Sequence, residues 1–230
     1  SLCAVNAIDL RVERGTFYGF LGPNGAGKST TIKMLTGLLA PTSGTMRILG
    51  EDIGRPDRAL EVKRRVGVVP ENLSLFENLT GREYLTFIGR MYLLPRATVR
   101  ERTEELLAMM GLADEEKKLA LEYSHGMRKK LALAAALLPN PEVLFLDEPF
   151  EGVDAVASRV LRDTLKRTVE RGATVFLTCW RSSKSSAHTL GLSPRANWCI
   201  RGRWRKCGYP GRSKSISLRL WVPTNSSAGS

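Results

Sequence analysis

The spacing of apolar positions divides the chain into stretches of different texture. Leu2 to Val12 mixes apolar and polar residues in a strand-like way and turns at Gly15. Thr16 to Leu21 is a short, nearly continuous apolar run, the pattern of a buried strand. From Lys28 to about Leu39 the spacing becomes helical, with Ile32, Leu35 and Leu39 on one face. Pro41 to Gly44 reads as a turn, and Thr45–Leu49 and Arg65–Val69 predict further strands.

Helical spacing dominates roughly residues 72–140. Thr80 and Glu83 fit a capping box ahead of Leu85, Ile88 and Tyr92, and this helix stops before Pro95. A second helix begins near Thr98 and ends at Gly111, a residue suited to the position after a helix. A third begins near Ser124, buries Met127, Leu131, Ala134 and Leu138, and ends at Pro139–Pro141. Strands then return. Val143–Leu146 is fully apolar, as buried parallel strands are. A further helix ends at Gly172, and Ala173–Thr178 is the next buried strand. The pattern predicts an α/β core around an inserted helical lobe, without internal repeats.

Composition changes this picture only near the end. The chain has 230 residues and a net charge of +12, which raises the question of nucleic-acid binding. Residues 179–230, however, hold ten Lys and Arg and no acidic residue. The preceding 178 residues carry 25 basic and 23 acidic residues, close to balance. Trp180, Trp198, Trp204 and Trp221 also fall in the tail, with Cys179, Cys199 and Cys207. No Cys-x-x-Cys pair suggests zinc or redox chemistry. No stretch approaches the ~20 apolar residues of a membrane span, and the start lacks the layout of a signal peptide. A cytoplasmic protein with no nucleic-acid partner is therefore expected.

Candidate chemistry sits at the ends of the predicted strands. Gly22 to Ser29 matches the phosphate-loop pattern G-x-x-x-x-G-K-[ST]. Glycines let consecutive N–H groups turn toward phosphates, and the helix that follows adds its positive end. Lys28 is suited to the β- and γ-phosphates of a nucleotide and Ser29 to Mg²⁺. Val143–Leu146 ends in Asp147 and Glu148. Asp147 suits the Mg²⁺ shell, and Glu148 is placed to polarise an attacking water as general base.

Three further segments resemble one family. Tyr123–Met127 resembles the signature motif of ABC ATPases, usually written LSGGQ, and stands just before the acidic strand as it does there. Gly152–Asp154 resembles the D-loop, and Val66–Glu71 the strand leading into the Q-loop. Over residues 1–178 the chain is identified as a member of the ABC transporter ATP-binding subunits, most similar to those serving ABC-2-type export permeases. The resemblance implies a P-loop NTPase core with a parallel sheet, antiparallel N-terminal strands and an inserted helical subdomain. It implies that Gly22, Pro23, Asn24, Gly25, Ala26, Gly27, Lys28, Ser29 and Thr30 hold ATP. Ser124 and Gly126 would grip the γ-phosphate of the other subunit in a head-to-tail ATP sandwich, as a homodimer or heterodimer. Lys28 and Glu148 would be catalytic, and Ser29, Asp147 and Glu71 would serve Mg²⁺. A separate membrane permease is the implied partner, with the chain peripheral on the inner face of the membrane.

The chain also departs from the family pattern. Glu71 stands where Gln is usual, and His125 and Met127 replace Gly and Gln in the signature. His125 is read as a solvated residue at the start of its helix. The adenine-stacking aromatic of the family would fall before Ser1, so the start is expected to be truncated. The family continues after Thr178 with a switch histidine, whereas this chain reads Cys179 and Trp180. A reading-frame change near codon 179 accounts for the break. Rejoining the last base of each codon to the next two forces Leu at Cys179–Trp180, Leu at Asn197–Trp198 and Val at Trp198–Cys199. Neighbouring junctions permit Leu-Glu-Val-Val-Glu and Gly-Gln-Leu-Val-His-Pro-Gly-Pro, which resemble the late segments of the family. On this reading residues 179–230 are out of frame or disordered, the last core strands are missing, and ATP turnover is weak or absent. Two alternatives stand beside the transporter subunit: a nucleotide-binding remnant with impaired catalysis, and a non-transport ABC ATPase.

Overall fold

Continuous apolar runs become the centre of a parallel sheet. A computed structural model describes residues 4–5, 8–115, 117–180, 197–200 and 216–219. Strands are β1 Asp9–Val12, β2 Phe17–Gly22, β3 Thr45–Ile48, β4 Glu51–Asp52, β5 Val66–Val69, β6 Val143–Leu146, β7 Thr174–Trp180, β8 Asn197–Ile200 and β9 Ile216–Arg219. Helices are α1 Lys28–Leu35, α2 Pro56–Arg64, α3 Gly81–Met91, α4 Arg96–Met109, α5 His125–Leu137 and α6 Ala155–Glu170. One sheet has the order β5-β6-β7-β2-β8 and is parallel throughout. Every position of β2 and of β6 is buried, as expected of strands covered on both faces.

The second sheet has the order β1-β9-β3-β4 and is antiparallel. β1 and β3 alternate, with Leu10, Val12, Met46 and Ile48 buried and their neighbours exposed. These buried residues pack with α1 and with Tyr18, Phe20 and Phe176 of the parallel sheet. A second core cluster joins the opposite face of that sheet to α3, α4 and α5. The three lobe helices lie within residues 72–140. α3 opens on the expected capping box: the Glu83 N–H donates to Thr80 Oγ1 at 3.3 Å, and the Thr80 N–H donates to Glu83 at 2.9 Å. That bond from Thr80 holds the Glu83 carboxyl below its usual range.

Some expectations are corrected. α1 ends at Leu35, four residues early, because the chain turns through Gly37 at φ 68°. Leu39 is therefore exposed rather than on the buried face. α2 was not anticipated. Its buried hydrophobic residue is Val62, so it offers too few apolar positions for a periodic signal. The last core strands are not wholly missing. β8 pairs with β2 along Tyr18–Leu21, and β9 lies between β1 and β3. Strand pairing asks for extended backbone with N–H and C=O groups to share, which segments of mixed composition such as Asn197–Ile200 and Ile216–Arg219 can supply. The expectation of a disordered tail is likewise corrected for residues 179–180, 197–200 and 216–219, which lie in strands; what was expected of residues 1–3, 6–7, 181–196, 201–215 and 220–230 lies outside the described residues.

Candidate nucleotide site

β2 ends at Gly22, and the chain winds through five residues before α1 begins at Lys28. Gly25 and Gly27 have φ of 76° and 81°, left-handed values that a side chain resists. At Gly27 space is closed as well: a Cβ would collide with the Ala4 carbonyl oxygen and press on Val5. The loop is fixed by the Ala26 N–H, which donates to the Pro23 carbonyl at 3.2 Å, and by Thr31 Oγ1, which donates to the Gly27 carbonyl at 2.8 Å.

This winding delivers Lys28 into the interior, where it is 6% exposed. Its ammonium donates to the carbonyls of Gly22 at 2.9 Å and Pro23 at 3.2 Å. It also lies 3.2 Å from Oε1 of Glu148. Two residues that are 120 positions apart in sequence thus meet because β2 and β6 both flank β7 in the sheet.

Glu148 is held in an unusual backbone conformation, with φ 47°, at a cost of roughly 1–3 kcal/mol. Its contacts include three that hold it there. Its N–H donates to Thr178 Oγ1 at 3.0 Å, its carbonyl accepts from Lys129 Nζ at 3.1 Å, and its carboxylate faces Lys28. Asp147 is buried beside it. Its Oδ1 accepts a 2.6 Å hydrogen bond from Thr178 Oγ1, and its N–H donates to the Val69 carbonyl at 2.9 Å. Thr178 therefore donates to one carboxylate while accepting from the amide of the next residue, which fixes both acidic residues at the strand end. Next along β7, burial pushes the Cys179 thiol up to about 12, with the nearby Glu148 charge adding to the effect and Lys28 opposing it.

Ser29 and Glu71 also come together, Ser29 Oγ donating to Glu71 Oε2 at 3.3 Å. Among the described residues, no group of three or more His, Cys, Asp or Glu could hold a metal ion by itself. An oxygen set of Ser29, Asp147 and Glu71 suits Mg²⁺, which keeps several waters and is usually held by one or two carboxylates plus substrate phosphates.

Ser124 and Gly126 belong to a different network. Ser124 caps α5, its Oγ accepting from the Met127 N–H at 3.2 Å. Gly126 is packed against the start of α6: a Cβ there would lie 3.1 Å from Ala157 Cβ and 3.2 Å from an Asp154 carboxylate oxygen. His125 is exposed, as expected of a solvated residue, yet its Nε2 lies 3.2 Å from the Glu151 carbonyl. The signature-like and D-loop-like segments are thereby joined to each other within one chain.

Two residues of the site were not anticipated. Thr178 is a polar residue at the end of the apolar run that predicts the strand, which was a usable signal. Lys129 is 3% exposed. It stands three residues after Gly126 and four before Leu133, both buried, so helical spacing alone could have placed it inside. Burial holds its ammonium below the usual lysine range, opposed by the charges of Glu151, Glu71, Asp147 and Glu148.

A strand, a glycine loop and a helix that carry a lysine to the acidic end of another parallel strand define a P-loop nucleotide-binding domain. The chain belongs to the ABC transporter family, whose model matches residues 5–151. It is 45% identical over 176 residues to the daunorubicin/doxorubicin resistance ATP-binding protein DrrA of Streptomyces peucetius, covering 76% of this chain and 52% of that protein. It is 37% identical over 174 residues to the linearmycin resistance ATP-binding protein LnrL of Bacillus subtilis, covering 76% of this chain and 55% of that one. The chain spans about half the length of the curated relatives it matches. Among solved structures it resembles an ATP-binding subunit of an ABC transporter, with TM-score 0.68 and 32% identity, covering 76% of this chain and 72% of the other. It also resembles the ATP-binding cassette MJ0796 in a dimeric post-hydrolysis state bound to ADP and Pi, with TM-score 0.67 and 26% identity, covering 74% and 76% of the two chains. Among the described residues no helix is long and apolar enough to cross a membrane.

Proposed function

We propose that this chain binds MgATP on the Gly22–Thr30 loop and hydrolyses it with Glu148, as the ATP-binding subunit of an export transporter. The observation that carries the reading is the meeting of Lys28 and Glu148 at 3.2 Å, with their side chains 6% and 13% exposed. Loop amides and the start of α1 would bind the phosphate oxygens. Lys28 is suited to exchange its bonds with the loop carbonyls for bonds to β- and γ-oxygens. Ser29, Asp147 and Glu71 would hold Mg²⁺, which when bound neutralises phosphate charge. Glu148 would accept the proton of the attacking water. Glu71 accepts hydrogen bonds but, unlike the amide of a glutamine, donates none. An altered link between the phosphate site and the helical lobe follows.

Ser124 and Gly126 would reach the nucleotide of a second subunit in a head-to-tail dimer. Support comes from their place at the start of α5, the positive end of a helix, which favours anions, and from the dimeric state named for the MJ0796 structure. The resistance and export relatives support an ABC-2-type permease as the membrane partner, with the chain on the cytoplasmic face.

A second reading, nucleotide binding with impaired turnover, is favoured by one observation. Beyond Thr178 the strand continues with buried Cys179 and then Trp180 where the family pattern has its switch histidine. Steady-state hydrolysis and equilibrium ATP binding by the full chain separate the two. Mg²⁺-dependent turnover that falls about a hundredfold or more in Glu148→Gln, with binding retained, supports the first reading. Binding with no turnover supports the second, and absence of binding contradicts both. ATP-dependent dimerisation of Glu148→Gln, measured by light scattering, tests the sandwich; a chain that stays monomeric with ATP contradicts it.

A further inference from the structure

Lys129 is a buried charge to which the proposed reaction gives no role. Lysines are almost never fully buried unless something pairs with them, and an apolar residue would pack as well against the rest of the α5 core. Its ammonium donates to the Glu148 carbonyl at 3.1 Å and to the Glu71 carbonyl at 3.5 Å. The lysine and its two partners belong to three separate pieces of the molecule. Lys129 is on α5 in the helical lobe, Glu71 follows β5, and Glu148 follows β6. α5 is also the helix whose first residues form the signature-like segment, one turn before Lys129. A lysine suits this place, having a flexible stem and three donors on one ammonium.

We propose that Lys129 is a positioning residue through which the helical lobe sets the geometry of Glu148, an inference that rests on reading Glu148 as the hydrolytic base. Its bond fixes the peptide plane after Glu148 while Glu148 is in the left-handed conformation, and so aims the carboxylate at Lys28. The second bond ties the same helix to the backbone of Glu71, whose side chain meets Ser29. One rigid helix thereby holds both the hydrolytic side and the Mg²⁺ side of the site. A shift of α5 relative to the sheet would lengthen the 3.1 Å bond and release Glu148, switching hydrolysis without touching the phosphate loop.

The test uses the full chain as wild type, Lys129→Met, Lys129→Gln and Lys129→Arg. Methionine keeps the unbranched stem and removes charge and donors, whereas arginine keeps both. Hydrogen exchange over residues 147–152, followed by mass spectrometry, reads the bond without requiring turnover. Exchange there is expected to quicken about tenfold or more in Lys129→Met, to stay near wild type in Lys129→Arg, and to be unchanged in α4 and β2. With ATP, kcat should fall about thirtyfold in Lys129→Met while KM stays within about threefold, and arginine should restore most of kcat. Lys129→Gln, which keeps a shorter donor, carries the same test if the methionine variant does not fold. Unchanged exchange at 147–152, an equal effect on KM and kcat, or uniform loosening of α3, α4 and α5 in every variant overturns the proposal. A fluorescent ATP analogue separates the two failures. No binding by wild type overturns the site reading together with this inference; binding with unchanged exchange overturns this inference alone.

Discussion

The helical lobe and the acidic end of the parallel sheet satisfy their polar groups in opposite ways. At the start of α3, Thr80 and Glu83 serve each other across three residues, at the surface, with standard helix-start geometry. At the sheet end, Lys28 meets Glu148, Thr178 meets Asp147, and Lys129 meets Glu148, all buried or nearly so. The lobe stores no strain at its cap. The site holds Glu148 at positive φ and buries an ammonium against a carboxylate. Such arrangements cost stability and persist where surrounding structure enforces them. The difference teaches how each is specified: a local, cheap pair starts α3, whereas distant, expensive contacts build the candidate site.

Substitutions sharpen that contrast. Gly27→Ala should be the most damaging, because the new Cβ meets both an unfavourable φ and the Ala4 carbonyl. Loss of nucleotide binding and a clear fall in the thermal midpoint are expected. Gly25→Ala has the same backbone problem but open space around it, and should cost only about 1–2 kcal/mol; denaturant titration of both variants compares them directly. Thr178→Val removes a buried hydroxyl that serves two residues, and should destabilise by about 1–3 kcal/mol while lowering any turnover more than binding. Equal loss of binding and turnover would argue that Thr178 supports only the fold.

In the lobe, Thr80→Ala should cost about 1 kcal/mol in urea unfolding and leave ATP binding unchanged. The smallest effect is in its pH dependence. Since Glu83 is held below its usual value when folded, its contribution is present at neutral pH and is lost as pH falls through that lowered value. The stability gap between wild type and Glu83→Ala should therefore narrow in acid. A gap that widened there would show that the carboxylate is not the group that matters.

The same contrast explains what could be read from sequence. The capping box at Thr80, the apolar strands around Phe145 and Phe176, and the loop from Gly22 to Ser29 are local patterns, and each appears where its spacing predicts. Placing Glu148 one residue beyond Asp147 was also local. Lys129 was harder, because nothing nearby in sequence tells which carbonyls a buried ammonium will meet. α1 ended early at Gly37 since a tight turn outweighed the continuing apolar face at Leu39. α2 escaped notice because Val62 alone cannot make a pattern. β8 and β9 escaped because backbone pairing is indifferent to the loss of acidic residues that marks the tail.

The most direct test of the account is equilibrium binding of ATP, with and without Mg²⁺, to the full chain and to Lys28→Met. The account predicts Mg²⁺-dependent binding by wild type that weakens about tenfold or more in the variant, since a buried charge contact to phosphate is lost. No binding by wild type, or equal binding by Lys28→Met, would contradict the assignment of this loop and its lysine as the nucleotide site.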